Sequence, residues 1–196
     1  MESSQILIVG IGGLGCIWAA RAHQRGAGAS LLMLDADDRF PDVDGAHIIR
    51  LGHTLDALGC AALPPLAEQR MRGLASRTRP FLEQAELVII VAGLGGGTGT
   101  GASHEFARQA KLHGATVLSL AALPFDSQPT RKKIAEAEIQ RLEHHSDVCV
   151  QLSLERLARQ ARDRGKDWSI WVRNGSKTSS MDWSARSSRW GSSISI

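Results

Sequence analysis

A chain of 196 residues with 43% hydrophobic and 22% charged residues suits one domain of ordinary size, and excludes a wholly disordered or fibrous polymer. A net charge of +3 gives no argument for nucleic acid, and no apolar run approaches the ~18–20 residues that a membrane span needs. Cys16, Cys60 and Cys149 are widely spaced and form no CxxC pair, so buried thiols in a reducing, cytoplasmic setting are expected.

The first residues, MESSQILIVG, enter an apolar strand without a basic leader, which reads as no secretory signal. Gln5–Gly10 is a compact buried strand, and Leu14–Arg25 has helical spacing. Leu31–Asp35 is a second strand. Pro64–Gln84 reads as helix, broken near Gly73 and stopped or restarted at Pro80. Leu87–Ala92 is a third strand, and Ala102–His113 a helix stopped by Gly114. Ala115–Ala122 is a fourth strand, Thr130–His144 a polar-faced helix, Val148–Leu152 a fifth strand, and Leu154–Asp163 a last helix. Repeated strand–helix units with continuous apolar strands predict an α/β fold, a Rossmann-like parallel sheet with helices on both faces. Ligands bind such sheets at the C-terminal ends of the strands.

Two glycine loops fall on that rim. The first, Gly10-Ile11-Gly12-Gly13-Leu14-Gly15, follows strand one and opens a helix. Its glycines let backbone approach a diphosphate, and the helix N-terminus offers free N–H groups. Asp35 ends strand two, 20 residues beyond Gly15, where an acid holds ribose hydroxyls in dinucleotide-binding folds. Taken alone, this third of the chain favours NAD or an adenylate. The second loop runs from Gly93 through Gly95, Gly96, Gly97, Thr98, Gly99 and Thr100 to Gly101. Ordering so many glycines costs entropy, and anion cradling is the chemistry that uses them. The Thr98 and Thr100 hydroxyls add donors. No Lys follows in the pattern of a P-loop.

GGGTGTG after an apolar strand ending VAG resembles the signature of the tubulin and bacterial FtsZ GTPases. ILIVGIGGLG looks like that family's first phosphate loop. Leu34–Asp37 (LDAD) sits where the family has an Asn-Thr-Asp turn, and Leu58–Pro64 (LGCAALP) where it has a Gly-Ala-Gly-Gly-Asn-Pro loop near the γ-phosphate. Pro124-Phe125 and Ala135-Glu136 match marks around the ribose-side loop. The order holds over roughly residues 5–157, the nucleotide-binding half of the family fold. The resemblance implies GTP or GDP, with Mg²⁺, held at Gly10, Gly12, Gly13, Gly15, Gly95, Gly96, Gly97, Thr98, Gly99 and Thr100. It implies a role in cell division or a related filament system. On this reading residues 1–165 are a nucleotide-binding, GTPase-like domain. Residues 166–196, with four of the five Trp and no Leu after Asp167, are a Ser/Trp-rich tail expected to be poorly ordered.

Departures from the family pattern set further expectations. Cys60, Ala61 and Ala62 replace Ala-Gly-Gly, so side chains crowd a triphosphate and diphosphate binding survives better. Gln128 and Lys132, or Arg131, stand where the family has Glu and Arg at the ribose. Ser153-Leu154 replaces Pro-Asn beside the guanine, which leaves guanine against adenine open. No segment matches the family's acidic loop that orients the attacking water, so binding with weak or absent hydrolysis is expected. Partners would be the nucleotide, and a further copy or a full-length FtsZ-like relative. His104 is a candidate phosphate contact. Arg131-Lys132-Lys133 reads as a solvated face, and His144-His145 as a helix C-terminal cap. The alternatives are a Rossmann-type NAD- or ATP-dependent enzyme, either a dehydrogenase or a ubiquitin-activating-like adenylating enzyme, and an interaction protein working through its Trp/Ser tail.

Overall fold

The computed structural model describes residues 5–26, 28–52, 59–60 and 62–164. The expected tail, and Leu58 and Ala61 of the loop expected near the γ-phosphate, lie outside the described residues.

Six parallel strands form one sheet: β1 (Ile6–Ile11), β2 (Ser30–Asp35), β3 (His47–Arg50), β4 (Leu87–Gly93), β5 (Thr116–Leu123) and β6 (Val148–Ser153). Their order across the sheet is β3-β2-β1-β4-β5-β6. Val9 pairs with Leu32 on one side and with Ile90 on the other, so the most apolar strands occupy the centre. Burial on both faces explains why β1 and β2 read as unbroken apolar runs.

The helices are α1 (Gly12–Gln24), α2 (Pro64–Gly73), α3 (Ala75–Leu82), α4 (Thr98–Leu112), α5 (Pro129–His144) and α6 (Leu154–Asp163). One face of the sheet carries Val9, Ile11, Leu32, Leu34, Ile90 and Val117, packed with Phe106 of α4 and Met71 of α2. The opposite face packs Ile8, Leu31 and Met33 against Cys16, Ala19 and Ala20 of α1. Helices therefore cover both faces, as the strand–helix alternation predicts.

Beyond shifts of one or two residues at element ends, three features differ from the sequence reading. β3 was absent from it, because HIIR is a four-residue edge strand in which only Ile49 is buried. Pro80 neither stops nor restarts a helix; it sits inside α3, whose break from α2 falls at Leu74. α4 begins at Thr98, four residues before the expected Ala102, because its early glycines are packing residues rather than flexible ones.

Candidate functional site

Strand order reverses between β1 and β4, since β1 leads outward to β2 and β4 outward to β5. Such a switch point leaves a crevice beyond the strand ends. α1 starts at the exit of β1 and α4 just beyond the exit of β4, so both helix N-termini border that crevice. Neither has a side-chain cap, and neither carries an acid in its first turn. Their first N–H groups are thus left for a ligand or water, with the positive ends of two helix dipoles behind them.

The two glycine loops touch. Gly12 has φ +74°, and a Cβ there would stand 3.0 Å from the Gly99 nitrogen and 3.8 Å from the Thr98 Cβ. The remaining glycines divide by what surrounds them. A Cβ on Gly10 would lie 2.7 Å from the Cys16 Cα, one on Gly15 would collide with the Val91 carbonyl, and one on Gly99 with the Gly93 carbonyl. These three let helix and strand approach. Gly101, packed on the Pro64 carbonyl, lets α4 approach α2. Gly96 is different: among the described residues nothing lies within 4 Å of a Cβ placed there. Gly13 is nearly as open, meeting only Asp35 Oδ2 at 3.7 Å.

The second loop is fixed at several points. Gly95, at φ +89°, is bounded by Pro124 and by the Arg131 backbone, with a Cβ 2.7 Å from the Arg131 carbonyl oxygen. The Gly95 N–H donates to Thr100 Oγ1 at 2.9 Å, and Thr100 is buried. The Thr100 oxygen therefore shapes the loop from within. At the other end, a Cβ on Gly97 would stand 2.7 Å from the Cys60 carbonyl oxygen and 3.0 Å from the Leu63 nitrogen.

Asp35 ends β2 behind the first loop. It is buried, its Oδ1 accepts from the Ala36 N–H at 2.7 Å, and the Thr98 hydroxyl hydrogen-bonds to the same carboxyl. Burial raises its pKa to about 6; the nearby Asp37 charge adds to this, and the hydrogen bonds partly offset it. This acid is turned toward Gly13 and Thr98, between the two loops.

The other sequence candidates scatter. Gln128 is the N-cap residue of α5, its N–H donating to the Phe125 carbonyl at 3.0 Å, and its side chain caps nothing. Lys132 pairs with Asp126 at 2.7 Å. Arg131 is exposed beside Gly95. Ser153 caps α6 by accepting from the Arg156 N–H at 3.3 Å, and Leu154 is buried. His104 does not face the crevice. It is 2% exposed, with Nε2 at 3.5 Å from Glu68 and 3.8 Å from Glu138, inside a network between α2, α4 and α5 that Arg72 and Arg141 join. Burial, with Arg141 nearby, holds its pKa below the usual histidine range. His144 ends α5 and His145 follows as its C-cap.

Sequence reasoning missed Arg70 and the seat of Cys60. Arg70 is one arginine of several on a helix and carries no motif. Its Nη1 donates to the Leu51 carbonyl at 3.3 Å, to the Gly59 carbonyl at 3.2 Å and to Cys60 Sγ at 3.8 Å.

A parallel sheet with two glycine-built helix starts meeting at its switch point defines a Rossmann-like α/β domain. The family model for the Tubulin/FtsZ family, GTPase domain, matches residues 5–162, and the chain belongs to this family. Cell division protein FtsZ 1 of Pyrococcus abyssi is 33% identical over 158 residues, and that of Thermococcus kodakarensis 35%. Each alignment covers 79% of this chain and 42% of the relative, so the chain spans about two fifths of the length of these relatives. Among solved structures, an empty FtsZ dimer of M. jannaschii matches with a TM-score of 0.76 and 26% identity, over 88% of this chain and 51% of that one. CetZ of Methanosaeta thermophila shares the fold, with a TM-score of 0.62 at 17% identity over 82% and 50% of the two chains. Among the described residues no helix is long and apolar enough to cross a membrane.

Proposed function

We propose that the chain binds a guanine nucleotide, GTP or GDP, with its phosphates across the two glycine loops. The observation that carries this reading is the contact of Gly12 with Gly99 and Thr98 at the switch point, beside the open positions Gly13 and Gly96. The phosphates would take the N–H groups of residues 12–13 and 96–100, and the uncapped ends of α1 and α4 favour their charge. Arg131, exposed at the Gly95 end of the loop, is the cation best placed for the phosphates or ribose. Lys132 reaches them only by leaving Asp126, and Gln128 is the third ribose-side group. Guanine is assigned from family membership, since Ser153 and Leu154 are turned to capping and core.

Magnesium enters this reading as an ion brought by the phosphates, because no three His, Cys, Asp or Glu converge as a metal site among the described residues. Hydrolysis by the chain alone is weak or absent, since no residue matches the family's water-orienting acid. The role inferred is cytoskeletal, in cell division, in the cytoplasm, with a further copy or a full-length FtsZ-like relative as partner. The relatives' names support the role, and the free cysteines support the compartment.

Titration with mant-GTP and mant-GDP, each competed by NAD and by ATP, tests the reading. Saturable binding displaced by guanine nucleotides alone, and weakened by Gly97→Ser, is expected. Absence of binding at high micromolar protein, or displacement by NAD or ATP but not GTP, overturns it. The nucleotide that co-purifies, identified by mass spectrometry, gives an independent answer.

A further inference from the structure

Asp35 is a carboxylate set where the positive ends of two helices converge. It ends β2, is 6% exposed, and has Oδ2 3.7 Å from a Cβ placed on Gly13, the second residue of α1. From the other side the hydroxyl of Thr98, the first residue of α4, donates to it. The N–H groups of Ala36 and Asp37 donate as well, Ala36 to Oδ1 at 2.7 Å.

The groups around Asp35 supply no cation. On β3 its neighbour in register is Arg50, which pairs with Asp38 at 3.3 Å. On α1 it faces Cys16, whose thiol donates to the Gly10 carbonyl at 3.3 Å and to the Leu34 carbonyl at 3.7 Å. Burial and the Asp35 charge hold that thiol above its usual range, so it stays neutral. In the loop after β2 stands Asp37, a second negative charge. Among the described residues no lysine, arginine or histidine pairs with Asp35.

Asp35 is therefore a resident anion between the two loops. A phosphate oxygen that accepts from the Gly13 N–H or from the first N–H groups of α4 becomes its close neighbour, and like charges repel strongly in a site shielded from water. The Thr98 hydroxyl has one hydrogen, and while the carboxylate is ionised that hydrogen is committed to it. A proton taken from solvent onto Asp35 changes both conditions. The charge disappears, and the new Asp35 O–H donates to Thr98 Oγ1, which frees the Thr98 hydrogen for the ligand.

We infer that Asp35 makes nucleotide binding by this chain proton-coupled, the phosphates entering as Asp35 takes up one proton. The inference rests on the nucleotide reading above and adds a proton to its stoichiometry. It needs phosphates between the loops and holds whichever end of the nucleotide faces the second one. Burial brings the Asp35 pKa to about 6 in the chain without ligand, so at pH 7 the site is mostly ionised and gains the proton on binding.

The test is mant-GDP binding to the full chain in EDTA from pH 6 to pH 8, for the parent and for Asp35→Asn, which keeps the shape and removes the charge. Calorimetry at pH 7 in two buffers of unlike ionisation heat counts the protons. The nucleotide's own titration is common to both proteins, so the difference between them belongs to Asp35. Relative to the variant, the parent is expected to lose about tenfold or more in affinity from pH 6 to pH 8, and to take up about half to one proton more per nucleotide at pH 7. Asp35→Asn is expected to bind more tightly than the parent at pH 8. Parallel pH profiles overturn the inference, including a variant weaker by one factor at every pH, which marks a structural role. If Asp35→Asn does not fold, the parent answers alone: net proton uptake supports the coupling, and its absence overturns it. No mant-GDP binding by the parent at either end of the pH range overturns the nucleotide reading itself.

Discussion

Gly12 faces the backbone nitrogen of Gly99 across the β1–β4 seam, so closely that a Cβ on Gly12 would stand 3.0 Å from it. The contact joins two loops that lie more than eighty residues apart in the chain. Gly12→Ala forces both a left-handed φ and a steric conflict with backbone, and should cost about 1–3 kcal/mol of stability. Gly96→Ala meets nothing among the described residues and should change stability by less than about 0.5 kcal/mol. Both should weaken mant-GDP binding, because the Gly96 methyl enters the space a phosphate would fill. Denaturant unfolding and ligand titration on the two variants separate cradle shape from cradle space. Unchanged binding in Gly96→Ala would place the ligand elsewhere.

Thr100 is expected to act through the loop. Thr100→Val keeps the shape but leaves the buried Gly95 N–H without its acceptor, at a cost of about 1–3 kcal/mol. Thr100→Ser keeps the oxygen and should recover most of that loss. Equal stability of the two variants in urea would contradict this assignment.

Ala62 is the single non-glycine residue with positive φ among those described. Ala62→Gly removes the left-handed cost and adds back unfolded-state entropy, for a net gain of about 0.5–1 kcal/mol. Thermal unfolding should show the rise in Tm.

Two buried groups give the stability–pH curve opposite slopes. Asp35 has its folded pKa raised from 3.8 to about 6, so its charged form disfavours the fold above that range. The cost, roughly 3 kcal/mol, is fully present above pH 6 and disappears as pH falls toward 4. Asp35→Asn should therefore stabilise the protein at pH 7 and give no gain at pH 4. His104 has a depressed pKa, so on acidification the unfolded chain takes its proton in the usual histidine range, before the folded chain does. Its contribution is present at neutral pH and is lost on acidification, as the proton must then enter a buried site. His104→Gln should flatten that acid loss. Urea titrations across pH 4–8 on both variants check the two signs, and a pH profile untouched by either substitution would refute the assignments.

Much of the architecture was readable because strand burial is written in local composition. QILIVG, LLMLD and LVIIVA are apolar on both faces, as central parallel strands must be. β3 was not readable, since an edge strand of four residues with one buried side chain has no such pattern. The glycine loops were legible as two loops on one rim, but their residues looked alike in sequence. Only packing separates Gly10, Gly15 and Gly99, which let backbones meet, from Gly13 and Gly96, which face open space. The place of His104 was not legible for a related reason: proximity to a motif in sequence says nothing about which side of a helix a residue occupies.

By itself, then, the order of residues determined the parallel α/β sheet, the helices on both faces and the two glycine loops on one rim, since these follow from periodicity and from the conformations glycine alone permits. Tertiary structure decided the contact of Gly12 with Gly99, the burial of Asp35 between the loops, the place of His104 among glutamates and the hold of Arg70 on the turn. Each of these depends on a partner far away in the chain, and distance in sequence carries no signature until the sheet brings the partners together.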